Sequence, residues 1–200
     1  MRKSIISIGL ILCLLFSTVS VFATVPGTMY MITIDGETFT FVEMETETER
    51  DVRVYDIDGT LVEHMQYNKE TGVMYDVLRR DAYETEYSIS LLSNEQVIID
   101  NEGYYCMGEY VVDLGDVYSA VSAMTKLMTY GIPYTIAEKI VAKLAAEMVG
   151  TLEVRGVLWM KSDNTYDYSK KIENFYYHVG ITEIHLYGPY TTYQQKRNDI

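Results

Sequence analysis

The sequence has few of the residues that organise many secreted and catalytic proteins. Its 200 residues include two cysteines, three prolines, three histidines and one tryptophan. Cys13 lies in the N-terminal apolar segment, so Cys106 is alone in the rest of the chain, and an intramolecular disulfide is excluded there. A lone cysteine in an alternating strand is typical of a small buried apolar residue. Export without disulfides favours a bacterial source.

Long apolar runs are also missing, apart from one near the N terminus. Arg2 and Lys3 precede an apolar run of 12 residues, 5–16, and the small residues of 21–23 follow at the usual cleavage positions. A membrane-spanning helix needs about 20 apolar residues, so this run is short for a permanent anchor. The sequence therefore predicts a secretory signal peptide over residues 1–23 and a single secreted, extracellular domain over 24–200.

Basic residues are scarce in one half of the chain only. Residues 24–114 hold 20 Asp and Glu against 5 Lys and Arg, whereas 151–200 hold 6 against 6 and 115–150 hold 3 against 3. A surface with this negative charge repels nucleic acid and anionic lipid, so neither is an expected partner. The same charge keeps a secreted protein in solution.

Catalytic and cofactor motifs are absent from the sequence as well. It contains no Gly-x-Ser-x-Gly, no His-Glu-x-x-His and no glycine-rich phosphate loop. The three histidines, His64, His178 and His185, have no Cys, Asp or Glu at the spacing of a zinc site. We therefore predict no catalytic residues, no metal site and no cofactor, and we interpret the protein as a non-enzyme.

One short motif resembles an enzyme family. Residues 56–61 read DIDGTL, which resembles the DxDGTL signature of haloacid dehalogenase phosphatases, where the first Asp attacks phosphorus. Such a site needs a buried parallel strand and a crossover helix, but residues 51–55 alternate and no helical pattern follows for some fifty residues. We interpret Asp58-Gly59 as a two-residue type I′ turn, with Asp56 opposite Leu61. A calcium loop is disfavoured by Thr60 and Leu61 at ligand and glycine positions.

Four glutamates at every second position form another candidate. In one continuous strand Glu43, Glu45, Glu47 and Glu49 would point to the same side, about 7 Å apart. Calcium ligands must instead converge on one point at about 2.4 Å, so a solvated acidic face is favoured over a metal site. A turn over residues 46–50 is the alternative interpretation.

The hydrophobic pattern predicts the order of the secondary structure. It has period two from Met29 to Val112, which indicates an antiparallel β-meander with strands near 38–45, 51–57, 60–67, 73–79, 83–91, 97–100 and 104–112. Period two returns after Gly150 in three further runs, which cover 152–161, 165–179 and 181–187.

Between the two strand regions the period changes to 3.6. One helix is predicted from about Val117 to Gly131, with a polar face at Ser119, Ser122, Lys126 and Thr129. A second is predicted to open with a capping box of Thr135 and Glu138 and to close at Gly150, with Leu144, Ala145 and Met148 on its apolar face. The sequence thus predicts an α+β domain: an acidic β-meander (24–114), a central two-helix hairpin (115–150) and C-terminal antiparallel strands (151–200).

Tyrosine is the abundant residue, with 19 copies, all after residue 23. Tyrosines crowd the C-terminal strands, and the candidate binding residues are Tyr166, Tyr168, Tyr176, Tyr177 and Tyr187. The alternative is that their rings only cover a half-buried sheet.

Two functions from different classes are consistent with these patterns. The leading hypothesis is a secreted, non-enzymatic binding or interaction protein with an extracellular protein, peptide or glycan as partner. The alternative is an antimicrobial or membrane-active protein that inserts the 116–149 hairpin. Only the alternative implies membrane contact. Membrane action usually requires a lysine-rich polar face, and Lys139 and Lys143 are offset by Glu138 and Glu147.

Overall fold

A computed structural model describes residues 27–84, 98–144 and 149–198 of the chain. The predicted signal peptide, most of the strand predicted over 83–91, and the predicted helix residues Ala145 and Met148 lie outside these ranges. The described residues form antiparallel strands before and after two helices, which confirms the predicted α+β class and the order of its parts.

The first sheet, called the meander sheet, has six strands, each paired with the next along the chain. The β1–β2 connection is a two-residue turn with positive φ at Asp35 (53°) and Gly36 (85°), as a type I′ turn requires. The strands are β1 (Thr28–Ile34), β2 (Glu37–Glu45), β3 (Glu49–Tyr55), β4 (Leu61–Asn68), β5 (Val73–Asp76) and β6 (Asp81–Glu84).

The second sheet, called the long sheet, has four strands in the order β10-β9-β8-β7. They are β7 (Tyr105–Val117), β8 (Gly150–Ser162), β9 (Tyr166–Val179) and β10 (Thr182–Arg197). At about 3.3 Å per residue the longest extends for about 50 Å. The last strand was predicted to end at residue 187, but β10 continues to Arg197 through two register shifts that flank Tyr187.

Two helices connect the sheets, α1 (Ala120–Tyr130) and α2 (Tyr134–Val141). The Ser119 hydroxyl caps α1 by accepting a hydrogen bond from the Ser122 N–H at 3.1 Å. Gly131 ends α1 with a φ of 116°, in the left-handed region that favours glycine, so the predicted stop is confirmed.

Three details of the predicted hairpin are wrong. Val117 is the last residue of β7 and not part of a helix. Pro133 precedes α2 and makes no side-chain capping bond, so Thr135 lies inside the first turn and the predicted capping box is not formed. Helix α2 ends at Val141 rather than near Gly150, because the chain continues as hydrogen-bonded turns through Lys143.

Helix α1 is the centre of the core. It contacts β3 and β4 of the meander sheet and β7 of the long sheet, so we call the sheet surfaces that face it the inner faces. Three of the four polar side chains predicted opposite the apolar face are buried: Ser122 is 2 % exposed, Lys126 1 % and Thr129 0 %, whereas the capping residue Ser119 is exposed. The helical period of 3.6 was predicted correctly, but the long sheet covers the polar side of the helix. No described helix combines the length and apolar character needed to cross a bilayer.

Candidate binding surface on the long sheet

The candidate tyrosines predicted from the sequence lie on two opposite faces of the long sheet. Tyr177 is 2 % exposed on the inner face, and the Tyr187 ring packs against Phe175 at 6.5 Å between ring centres. Tyr166, Tyr168 and Tyr176 alternate with the buried residues of β9 and therefore lie on the outer face. The five residues do not form one surface, because neighbours in a strand point in opposite directions.

The outer face instead collects aromatic rings from four separate segments of the chain. Tyr104 precedes β7, Trp159 lies in β8, Tyr166 and Tyr168 in β9, and Tyr193 in β10. The ring centres of Tyr104 and Tyr193 are 6.5 Å apart, and those of Tyr166 and Tyr168 are 6.1 Å apart. We call these five residues the aromatic face.

A nearly buried lysine lies beneath the aromatic face. Lys170 is 7 % exposed, and its Nζ is 5.0 Å from the Tyr104 ring centre and 5.5 Å from that of Trp159. Its ammonium also bonds to the carboxylates of Asp100 and Glu102. The hydrogen bond that Lys170 donates to Asp100 is the main reason why the pKa of Lys170 is raised and that of Asp100 is lowered. The lysine therefore stays charged and contributes cation–π contacts that fix the rings.

The segment before β7 is fastened to the edge of the long sheet. The Asp100 carboxylate accepts hydrogen bonds from the N–H groups of Glu102 and Tyr104, each at 2.9 Å. The Cys106 N–H donates to the Ile98 carbonyl at 2.9 Å. These bonds hold the Tyr104 ring over the sheet. Cys106 itself is a free, half-buried cysteine, more exposed than the buried apolar residue predicted from its alternating strand.

The two ends of the outer face differ in chemistry. Tyr176 lies at the end near the β9–β10 turn, where the Arg155 guanidinium is 4.5 Å from its ring centre. Arg155 also binds Glu183 at 2.5 Å, and the His185 ring lies 5.2 Å from that of Tyr176. This end is charged and held by its own ion pairs. At the other end, the Trp159 Nε1 is buried beneath the aromatic face and has no acceptor among the described residues.

The DxDGTL stretch forms a turn in an antiparallel hairpin between β3 and β4. One oxygen of the Asp56 carboxylate accepts the N–H groups of Asp58 at 3.0 Å and Thr60 at 2.7 Å. The predicted turn is confirmed, but its type and register are wrong. Only Gly59 of the two central residues has positive φ, and Tyr55 rather than Asp56 pairs with Leu61 across a bulge. These hydrogen bonds to the Asp56 carboxylate form an Asx turn, which stabilises the longer loop.

The glutamate series is divided by a turn, as the alternative interpretation predicted. β2 ends at Glu45 and β3 begins at Glu49, and the Thr46 hydroxyl accepts a bond from the Glu49 N–H at 2.9 Å. Glu45 bonds to Arg50 at 2.7 Å and to Lys69 at 2.6 Å. Glu47 therefore lies in the turn and Glu49 in the next strand, while Glu45 neutralises cations of its own sheet.

Two of the three histidines lie near carboxylates. The His64 Nε2 lies 2.8 Å from Asp51, while the His178 Nε2 lies 3.5 Å from Glu153 and 3.9 Å from Glu183. Within 27–84, 98–144 and 149–198 no group of three or more His, Cys, Asp or Glu side chains has the geometry of a metal site.

The sequence did not predict Tyr104, Trp159 and Lys170 as site residues, because the candidates were chosen from the many tyrosines of the C-terminal strands. The single tryptophan in an alternating strand was the available signal. Comparison with family models, with curated proteins and with solved structures gave no match to this chain.

Proposed function

We propose that the chain is a secreted, non-enzymatic binding protein that engages an extracellular partner through the aromatic face. The observation that carries this proposal is the convergence of five rings, from four chain segments, on the side of the long sheet opposite α1. Exposed aromatic clusters are a feature of interaction sites, because rings bury large areas at small conformational cost. Tyr193 is the most exposed ring of this surface, at 59 %.

The chemistry of the aromatic face favours a partner that is neither strongly charged nor purely apolar. Lys170 is already neutralised by Asp100 and Glu102, so the surface is not a site for a polyanion. Tyrosine presents a broad ring with a hydroxyl, which suits peptide backbones and sugar rings alike. The proposed partner is therefore a protein, peptide or glycan of the cell exterior.

The burial of α1 supports this proposal over a membrane-active hairpin. Insertion would require α1 to leave both sheets and to expose Met124, Leu127 and Met128, each at most 1 % exposed. It would also break the hydrogen bond of 2.8 Å from the Lys126 ammonium to the Leu114 carbonyl. Those contacts hold the two sheets together.

Binding to envelope material of the producing cell tests the proposal. Immobilised protein is expected to retain a component of this material. The affinity for that component should fall about tenfold in a Tyr168→Ser, Tyr193→Ser double variant, because two interface rings contribute about 1.4 kcal/mol or more to binding. Tyr75→Ser is the matched control, because Tyr75 is 37 % exposed on the meander sheet.

Two treatments of the envelope material distinguish a protein partner from a glycan. Proteinase digestion should abolish retention of a protein partner, and periodate oxidation should abolish retention of a glycan. Retention that the double variant and the Tyr75→Ser variant share equally would contradict a role of the aromatic face.

A further inference from the structure

A polar cleft opens between the two sheets where α1 ends. Helix α1 has 11 residues and is about 16 Å long at 1.5 Å per residue, so it separates the sheets over only part of their length. Beyond Tyr130 the inner faces are no longer filled by the helix, and a cleft of about 290 Å³ remains. It is lined by Glu45, Arg50, Tyr67 and Lys69 of the meander sheet, residues 130–132, and Lys171, Glu173, Thr192 and Gln194 of the long sheet.

The deepest polar group in the cleft is a buried carboxylate. Glu173 is 2 % exposed, and its Oε1 accepts hydrogen bonds from the hydroxyls of Tyr110 at 2.6 Å and Tyr130 at 2.7 Å. Bonds of this length between a hydroxyl and a carboxyl oxygen are typical of an ionised acceptor. Both donors use the same oxygen. The second oxygen, Oε2, receives no hydrogen bond from the described residues.

This carboxylate has no cationic partner in the described part of the chain. No Lys, Arg or His nitrogen there lies within 4.0 Å of it, whereas the other two nearly buried acids of the described residues, Glu63 and Asp76, both bond to Arg79. A buried charge without a counter-charge is costly, whereas the same charge at the base of an open cleft attracts a cation from outside. The Tyr67 and Tyr130 rings, 6.3 Å apart, line the same cleft, and aromatic faces favour organic cations.

Cations are placed further out in the cleft. The Lys171 ammonium lies two residues along β9 from Glu173 on the same face and has no carboxylate within 4.0 Å among the described residues. On the opposite wall Arg50 and Lys69 share Glu45. The cleft thus has its negative group at the base and an uncompensated positive group nearer the opening.

From this arrangement we infer that the cleft binds an α-ammonium group together with its nearby carboxylate or carbonyl, as in a free amino acid or the amino terminus of a peptide. The ammonium donates to Oε2 of Glu173 and lies against the rings of Tyr67 and Tyr130. The ligand's carboxylate or first carbonyl accepts a hydrogen bond from the Lys171 ammonium. A volume of about 290 Å³ accommodates one residue of such a ligand. This site is separate from the aromatic face and does not depend on the proposed function.

Calorimetric titration of the purified protein at pH 7 tests the inference. The probes are a set of free amino acids, trialanine, and the N-acetylated form of each, up to 10 mM. At least one probe with a free ammonium is expected to saturate the cleft, and its N-acetylated form should bind at least tenfold more weakly. Stronger binding of trialanine than of alanine would identify a peptide terminus as the source, and the reverse would identify a free amino acid.

Three variants locate the binding. Glu173→Gln keeps an acceptor for the two tyrosine hydroxyls but removes the charge, and it should weaken the binding probe at least tenfold. Glu109→Gln, on the exposed outer face of β7, is the matched control and should bind normally. Lys171→Met should weaken the binding of an amino acid but not the binding of the corresponding amine, which has no carboxylate.

Several results would overturn the inference. They are the absence of saturation by every free-ammonium probe at 10 mM, equal binding of the acetylated probes, and unchanged binding by folded Glu173→Gln. If circular dichroism shows that Glu173→Gln does not fold, the comparison of free and acetylated probes on the unmodified protein decides. The Tyr168→Ser, Tyr193→Ser variant should bind the probes normally, which separates this site from the aromatic face.

Discussion

The meander sheet and the long sheet place their charges in different surroundings. In the meander sheet Glu63 and Asp76 point inward and are 5 % and 0 % exposed, and Arg79 bonds to both at 2.8 Å. In the long sheet the ion pair of Arg155 and Glu183 lies on the outer face, with side chains about 40 % exposed. A charge shielded from water interacts strongly with its surroundings, whereas an exposed one is screened. The buried ion pairs of Arg79 therefore stabilise the core of the meander sheet, whereas the exposed pair of Arg155 and Glu183 contributes little to stability.

A buried charge also holds α1 between the two sheets. The buried lysine Lys126 reaches both sheets, because its Nζ donates to Leu114 of β7 and lies 3.8 Å from the Tyr83 ring centre of β6. Asp76 and Glu63 stabilise its charge, but burial is the larger influence and lowers its pKa to about 8. The helix is thus fixed by a polar contact in a place where an apolar side chain would be expected.

The largest expected effect comes from a charge placed between the sheets. Leu127 is 0 % exposed in α1, so Leu127→Asp should reduce the free energy of unfolding by about 5 kcal/mol or more and unfold both sheets together. Fluorescence of Trp159 reports the long sheet alone, and circular dichroism reports both. The control is Ile181→Asp at a fully exposed turn position. Retention of the Trp159 signal while half of the strand signal is lost would show that the sheets fold independently.

A smaller effect is expected when the buried ion pairs lose their cation. Arg79→Met leaves Glu63 and Asp76 buried without the cation that bonds to them, which should cost about 3 kcal/mol in urea unfolding at pH 7. Arg80→Met, at the exposed neighbouring position, should change stability by less than about 0.5 kcal/mol. Equal effects of the two substitutions would contradict the proposed difference between the sheets.

The protonation of Lys126 should give stability an unusual dependence on pH. Its pKa is about 8 in the folded protein, while an unfolded lysine titrates near 10.4. Between these values the unfolded chain binds more protons, so the free energy of unfolding should rise with pH, by about 1 to 2 kcal/mol from pH 8 to 10. Above pH 10 the trend should reverse, because burial raises the pKa of Tyr83 to about 12 and unfolded tyrosines ionise first.

Urea unfolding between pH 7 and 11 measures this dependence. Lys126→Met removes the titrating group and should abolish the rise between pH 8 and 10, whereas Lys139→Met in α2 should retain it. A rise that persists in Lys126→Met would assign the effect to other groups and refute the role of this lysine.

The smallest effect is expected on the outer face of the long sheet. Arg155→Gln breaks the contacts to Glu153 and Glu183 but should lower stability by less than about 1 kcal/mol, because both partners remain hydrated. The difference from wild type should decrease further in 0.5 M salt. A loss as large as that of Arg79→Met would remove the contrast between the two sheets.

The sequence predicted the strands well where one face was solvated. β2, β3, β4, β8 and β9 lie within two residues of their predicted ends because alternation of apolar and polar residues reports a half-buried strand directly. β10 was predicted too short, since beyond residue 187 its residues are polar on both faces and carry no alternation. The hairpin of Asp58-Gly59 was assigned the wrong turn type because two backbone N–H groups donate to the Asp56 carboxylate and so set the loop length. A rule based on the Asp-Gly dipeptide does not include this contribution of Asp56.

The binding surfaces were less accessible to prediction. Tyr166 and Tyr168 were among the candidates and lie on the aromatic face, but Tyr177 and Tyr187 point into the core. Counting one residue type cannot separate two faces of a strand. The register of β7, β8 and β9 is needed to bring Tyr104 and Trp159 beside them.

The sequence by itself determined the α+β class, the order of strands and helices, the end of α1 at Gly131 and the concentration of acid in the first half, because these follow from local periodicity, composition and backbone preference. Only the tertiary structure decided that α1 is enclosed on all sides, that Lys126 is buried, and that Glu173 lies without a cation at the base of a cleft. Each of these depends on which side chains of the other sheet come within a few ångströms, and pairing between residues 63 positions apart, such as Tyr110 and Glu173, leaves no periodic trace in the sequence.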